Sequence, residues 1–132
     1  MPKKKLSRSK LIKKLDLVFS LYIRLRDAKN EMVECFTCGK VAHYKDNMQC
    51  GHFQGRKHYS TRWDTMNCQV QCKSCNVFKY GEQFIFGQRL DAKYGEGTAD
   101  KLQQKARKMV KLSTNDLEML INKYKDLTNI KK

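Results

Sequence analysis

The sequence predicts a small α+β fold, and three features carry that prediction. Two Cys-x-x-Cys units, Cys35/Cys38 and Cys72/Cys75, stand far apart in the chain. Between them lie short stretches of strand character broken by turn residues, and helical character begins at Cys72. On both sides of the cysteines, apolar residues recur at helical spacing. A core of two strands and a helix (ββα), closed by the cysteines and framed by an N-terminal helix and C-terminal helices, accounts for all three. At 132 residues this is one domain. It divides into a basic arm (1–14), a core with its N-terminal helix (15–95) and a C-terminal helical pair (96–132).

In chain order, the arm carries Lys3, Lys4, Lys5, Arg8, Lys10, Lys13 and Lys14 with no acid among them, a solvated run able to follow a phosphate backbone. Ser9 is a candidate cap for a helix whose face is Leu11, Leu15, Val18 and Tyr22, widened by Ile12, Phe19 and Ile23. Arg24, Arg26 and Lys29 close it with charge suited to its dipole. Cys35 to Lys40 reads as a knuckle, with Gly39 allowing the turn. Residues 41–49 read weakly as strand, in a hairpin turning at Asp46-Asn47. Residues 61–70 hold a loop and a short second strand. A helix carries Cys75, Asn76 and Lys79, and another, with Phe84, Ile85, Leu90 and Tyr94, stops at Gly95. Thr98 caps a helix with Leu102, Ala106, Met109 and Val110. Ser113 and Asp116 form a capping box for the last helix, with Leu117, Leu120, Ile121 and Tyr124 on its apolar face. These last two helices read as an antiparallel hairpin that packs on the core or serves a dimer contact.

Charge narrows the function. A formal net charge of +15 favours a polyanionic partner, and nucleic acid comes first because each neutralised phosphate releases counterions. No stretch is apolar and long enough for a membrane span. The apolar run 15–23 contains Asp16, leads straight into Arg24 and lacks a cleavage site, so it does not read as a secretory signal. A cytoplasmic setting follows, where paired thiols serve metal more often than disulfides. Four thiolates make a closed tetrahedral site, so the expected ion is a structural zinc. Cys50 and Cys68 read as small buried residues instead of ligands.

The chemistry gathers in 50–76. His52, between Gly51 and Phe53, reads either as a general base or as a structural histidine. Asn67 is placed to pin the loop carrying His52. Asn76, directly after Cys75, offers a carbonyl oxygen suited to a hard cation such as magnesium. Arg56, Lys57 and Arg62 fall in the same loop as candidate phosphate contacts.

Together, Cys35-x-x-Cys38, Gly51-His52, Asn67 and Cys72-x-x-Cys75-Asn76 resemble an HNH nuclease of the His-Me finger (ββα-metal, treble-clef-like) class, with asparagine at the third motif position. The layout is similar to the phage endonuclease VII group. Phe19-Ser20, Tyr22 to Asp27, Cys35 to Gly39, Gln49 to Phe53, Arg62-Trp63-Asp64, Asn67 and Gln71 to Asn76 resemble the lambdoid phage NinG/Rap recombination protein family. That resemblance implies a structure-specific DNA endonuclease cutting branched recombination intermediates, Holliday junctions among them, inside the host cell. It implies His52 as the base, Asn67 as positioner, and Asn76 as ligand of a catalytic magnesium that manganese can replace. A possible homodimer follows from symmetric cutting of a four-way junction. One departure stands out: the wider class often has aspartate before the catalytic histidine, and here that residue is Gly51. His43, Asp46, His58, Asp64 and Glu82 are the nearby substitutes as second metal ligand. The reading from a different class is a non-catalytic zinc module that binds branched DNA or a recombination partner.

Overall fold

A computed structural model describes residues 6–131. Lys3, Lys4 and Lys5 of the basic arm lie outside them. The chain is a mixed α+β domain with two small antiparallel sheets and helices on either side. Helix α1 (Arg8–Arg26) forms because Leu11, Leu15, Phe19 and Ile23 recur every fourth residue and are all buried. Its cap is Ser7, whose hydroxyl accepts from the Lys10 backbone N–H, not Ser9. The helix therefore takes up the second half of the basic run and presents Arg8, Lys10, Lys13 and Lys14 to solvent.

Strands β1 (Met32–Glu34) and β2 (Val41–His43) pair antiparallel, with Val33 opposite Ala42. Between them the Cys35–Cys38 turn is closed by Cys35 N–H donating to the Lys40 carbonyl at 2.8 Å. Gly39 follows at φ +82°, where a Cβ is disfavoured. Strand β3 (Met48–His52) pairs with β4 (Cys68–Cys72), setting Cys50 opposite Val70 and His52 opposite Cys68. The expected hairpin over 41–49 is therefore corrected. The chain does reverse there, with Asn47 at φ +55°, but the strands flanking that reversal pair away from one another. Each strand instead takes the partner that the cysteine-bearing segments bring to it. Strand β1, only three residues long, carries too little alternation to be seen in sequence.

A single turn, α2 (Tyr59–Arg62), interrupts the β3–β4 loop. After β4 comes a π-helical turn, Ser74–Phe78, in place of the regular helix expected from Cys72, with Lys79 N–H donating to the Ser74 carbonyl at 2.9 Å. Helix α3 (Gln83–Tyr94) stops at Gly95 as predicted, although Phe84 points outward and Phe86 is the residue that is buried. Helix α4 (Thr98–Ala106) ends before Met109, which is 94% exposed. Thr98 is its first residue, not its cap.

The capping box of α5 (Thr114–Lys131) is present. Asp116 N–H donates to the Ser113 hydroxyl at 3.0 Å and Ser113 N–H to the Asp116 carboxylate at 2.9 Å. The expected α4–α5 hairpin gives way to a different arrangement. Helix α5 lies along α1, where Leu117, Ile121 and Tyr124 meet Leu11, Leu15 and Phe19, while Leu102 of α4 joins Phe86 and Leu90 of α3. Each helix follows its own apolar face. No described helix is long and apolar enough to cross a membrane.

Candidate functional site

The two Cys-x-x-Cys units meet. The Sγ atoms of Cys35, Cys38, Cys72 and Cys75 all lie within 4.8 Å of one another. Cys38 and Cys72 are 3.7 Å apart, close to the edge of about 3.8 Å that a tetrahedron with Zn–S bonds of ~2.3 Å requires. Burial opposes a thiolate at Cys35. The Thr37 hydroxyl and the backbone amides of Cys72, Cys38 and Thr37 outweigh it and bring the pKa down to about 6. Burial and neighbouring sulfurs push Cys75 up to about 12. Four sulfur donors gathered this closely are a set that a soft dication completes. The cluster suits a zinc-type ion.

On the same framework an open groove is lined by Gln49, Cys50, His52, Arg56 and Asn76. His52 stands at the end of β3, and its Nε2 lies 2.9 Å from the Arg62 carbonyl. A carbonyl only accepts, so Nε2 carries the hydrogen and Nδ1 keeps its lone pair. Burial, then the Arg56 charge, lowers the His52 pKa below its ordinary value, against the opposing pull of the Arg62 carbonyl and Asp16. The balance favours the neutral ring.

Asn67 is fully buried beneath this strand end. Its Oδ1 accepts from the Gln54 N–H at 2.7 Å, and its Nδ2 donates to the Gln54 and Thr61 carbonyls at 3.1 and 3.0 Å. One amide thus ties both ends of the loop that follows His52. Asn76, on the π-helical turn, donates Nδ2 to Gln49 Oε1 at 2.7 Å, and its own oxygen has no hydrogen-bond partner among the described residues.

A family model described as Bacteriophage Lambda NinG protein matches residues 2–132. The chain belongs to that family. No curated protein and no solved structure matches it.

Around the groove of this NinG-family chain, Arg56 and Lys57 are exposed, and Arg56 lines the groove itself. Arg62 is placed differently. Its guanidinium grips Asp16 with Nε and Nη2 at 3.1 and 2.6 Å and donates to the Arg56 carbonyl at 3.1 Å, so its fork faces inward. Trp63 Nε1 donates to the same Asp16 at 2.9 Å. Asp16 thereby seats the segment whose carbonyl orients His52. The five candidate second ligands stand elsewhere. His43 pairs with Glu31, Asp64 with Lys105, and none of His43, Asp46, His58, Asp64 and Glu82 lines the groove.

Gly51 is close-fitted: a Cβ there would sit 1.9 Å from Gln71 Oε1, itself buried without a hydrogen-bond partner. Sequence reasoning gave Gln49, Gln71 and Asp16 no role, because those roles depend on contacts made only by folding. It also passed over the grouping of Cys50, Cys68 and a His52 ring nitrogen within 4.8 Å of one another. Cys50 and Cys68 are buried against α1, and burial, then Cys50, pushes the Cys68 thiol well up, so it packs as a neutral group. A second depression, lined by Arg24, Arg26, Lys29, Arg89 and Lys93, is basic and reaches Cys35 of the first knuckle, but His52, Asn67 and Asn76 do not line it.

Proposed function

We propose that this NinG-family protein is a DNA endonuclease of the HNH (His-Me finger, ββα-metal) class that cuts branched recombination intermediates, Holliday junctions and D-loops, in the phage-infected cell. The observation that carries the reading is the pairing, in one groove, of a histidine whose Nε2 is committed to the Arg62 carbonyl and an asparagine whose Nδ2 is committed to Gln49. On this reading, strands β3 and β4 with the π-helical turn after them would serve as the ββα unit of that class, and the four thiols, with zinc bound, would hold it together. The net charge of +15 and the exposed Arg56 and Lys57 supply phosphate affinity.

In the mechanism, Nδ1 of His52 accepts a proton from a water as its oxygen attacks phosphorus and the bond to the 3′ oxygen breaks. The Arg62 carbonyl stabilises the imidazolium that forms. Asn67 holds the loop so that the ring does not swing out. Asn76, oriented by Gln49, is the side chain that would hold magnesium or manganese. Such an ion, when bound, neutralises charge developing on the phosphate and the leaving oxygen. Cutting both strands of a four-way junction symmetrically calls for two such sites, hence two copies of the chain.

Gly51 favours a second reading. The aspartate position of the wider class is closed here, because any side chain would displace Gln71. A zinc module that binds branched DNA without cutting keeps every other feature.

The deciding test incubates a synthetic four-way junction and a matched duplex with wild type and His52→Ala, with magnesium supplied or omitted. The nuclease reading expects magnesium-dependent nicks near the branch that the variant loses. Tight junction binding with no cleavage under any divalent ion leaves the binding module.

A further inference from the structure

The segment 77–84, beside the catalytic groove, exposes more aromatic surface than a folded domain ordinarily leaves uncovered. Phe78 is 69% exposed, Tyr80 88% and Phe84 78%. Tyr80 and Val77 line the same groove as His52 and Asn76. We propose that Phe78 and Tyr80 form a stacking platform for unpaired nucleobases, which directs the site to DNA with bases out of the duplex stack. The proposal deepens the nuclease reading by naming what marks the substrate.

Two further observations support it. First, the loop is built and not slack. Tyr80, Gly81 and Glu82 run consecutively at φ +53°, +86° and +49°, and a non-glycine residue occupies that region only when its surroundings enforce it. Here they do. Gly81 N–H donates to the Cys75 carbonyl at 2.7 Å, and the Gly81 carbonyl accepts from buried Gln71 Nε2 at 2.8 Å. The loop is therefore tied to the backbone of a metal-site cysteine, and Tyr80 is thrust outward on a rigid support. Second, the aromatics are interleaved with cations. Lys73 Nζ stands 6.0 Å over the Phe78 ring, Lys79 separates Phe78 from Tyr80, and Arg56 borders the groove.

Exposed rings with cations beside them match bases joined by phosphates, and fit an apolar peptide poorly. Stacked bases inside a duplex hide their faces, so a ring platform distinguishes unpaired from paired DNA where hydrogen bonding to phosphate does not.

The test measures binding of the zinc-loaded full chain without magnesium, so that it does not depend on cleavage. The probe is a four-way junction carrying 2-aminopurine at the branch, with a duplex carrying the same base paired. Stacking on Tyr80 or Phe78 quenches the branch fluorophore and leaves the duplex signal little changed. The Phe78→Ala/Tyr80→Ala variant is expected to bind the junction roughly tenfold or more weakly while duplex affinity holds. Tyr80→Trp keeps the preference, and Phe78→Leu, which retains apolar area but no ring, reduces it. Unchanged fluorescence on wild-type binding overturns the proposal. So does equal loss on junction and duplex, or a change of oligomeric state in place of a change in DNA preference. Quenching without cleavage under any divalent ion retires the nuclease and leaves the platform standing.

Discussion

At the scale of single residues, the proposed chemistry depends on which nitrogen of His52 is free and on its staying unprotonated. Truncation to His52→Ala is expected to reduce cleavage by about 10²–10⁴-fold, the usual worth of a positioned base, with junction affinity little changed. The pH profile has a definite sign. Burial and Arg56 lower the His52 pKa from 6.5, and a base works only when neutral, so activity falls as pH drops through that lowered value. The acid limb of kcat/KM then lies below 6.5, and a limb at or above that value contradicts the assignment. Gln49 acts one step away. Gln49→Leu frees the Asn76 amide to rotate and should raise the magnesium needed for half-maximal cleavage about tenfold, with zinc content unchanged. His52, Asn67 and Asn76 were legible as motif positions because motif and chemistry share a short stretch. Gln49 and Asp16 were not, since a glutamine and an acid in isolation carry no sign of the asparagine or arginine that folding brings to them.

At the scale of elements, the four cysteines substitute for a large core in joining the β1–β2 hairpin to β4 and the turn after it. Cys35→Ser should lower the zinc content and lower the melting temperature together, because binding energy at such a site is folding energy. A variant that keeps full zinc and the wild-type melting point rules out the four-thiol site. The cysteine spacing was readable in sequence, and so were the long helices, whose four-residue apolar recurrences survive in α1 and α5. Strand pairing was not. Residues 41–52 contain two strands and a reversal, which reads as a hairpin until the cysteine turn claims β2 for β1 and leaves β3 to β4. The π-helical turn escaped for a related reason. Its hydrogen bonding differs from a regular helix by one residue, a shift that composition does not record.

At the scale of the whole molecule, charge and framework set the conditions under which the groove works. Junction affinity should fall steeply with salt, and Arg56→Ala should reduce the slope of log K against log salt by about 0.9 if that side chain meets one phosphate. An unchanged slope removes Arg56 from the interface. The helical frame is tested by Leu117→Ala, which opens a cavity at the fully buried α1–α5 contact and should cost about 2–5 kcal/mol in a denaturant titration. That contact also bears on timing. A ribosome making this chain delivers α5 after every other described element, and until then the Leu15 and Phe19 face of α1 has only the cover that Cys50, Trp63 and Cys68 give it. An unseated α1 carries Asp16 away from Arg62 and Trp63, and the carbonyl facing His52 loses its brace. On the nuclease reading, a chain still under synthesis is a blunt tool although all its chemical groups have emerged, and host DNA is spared the nicks of unfinished copies.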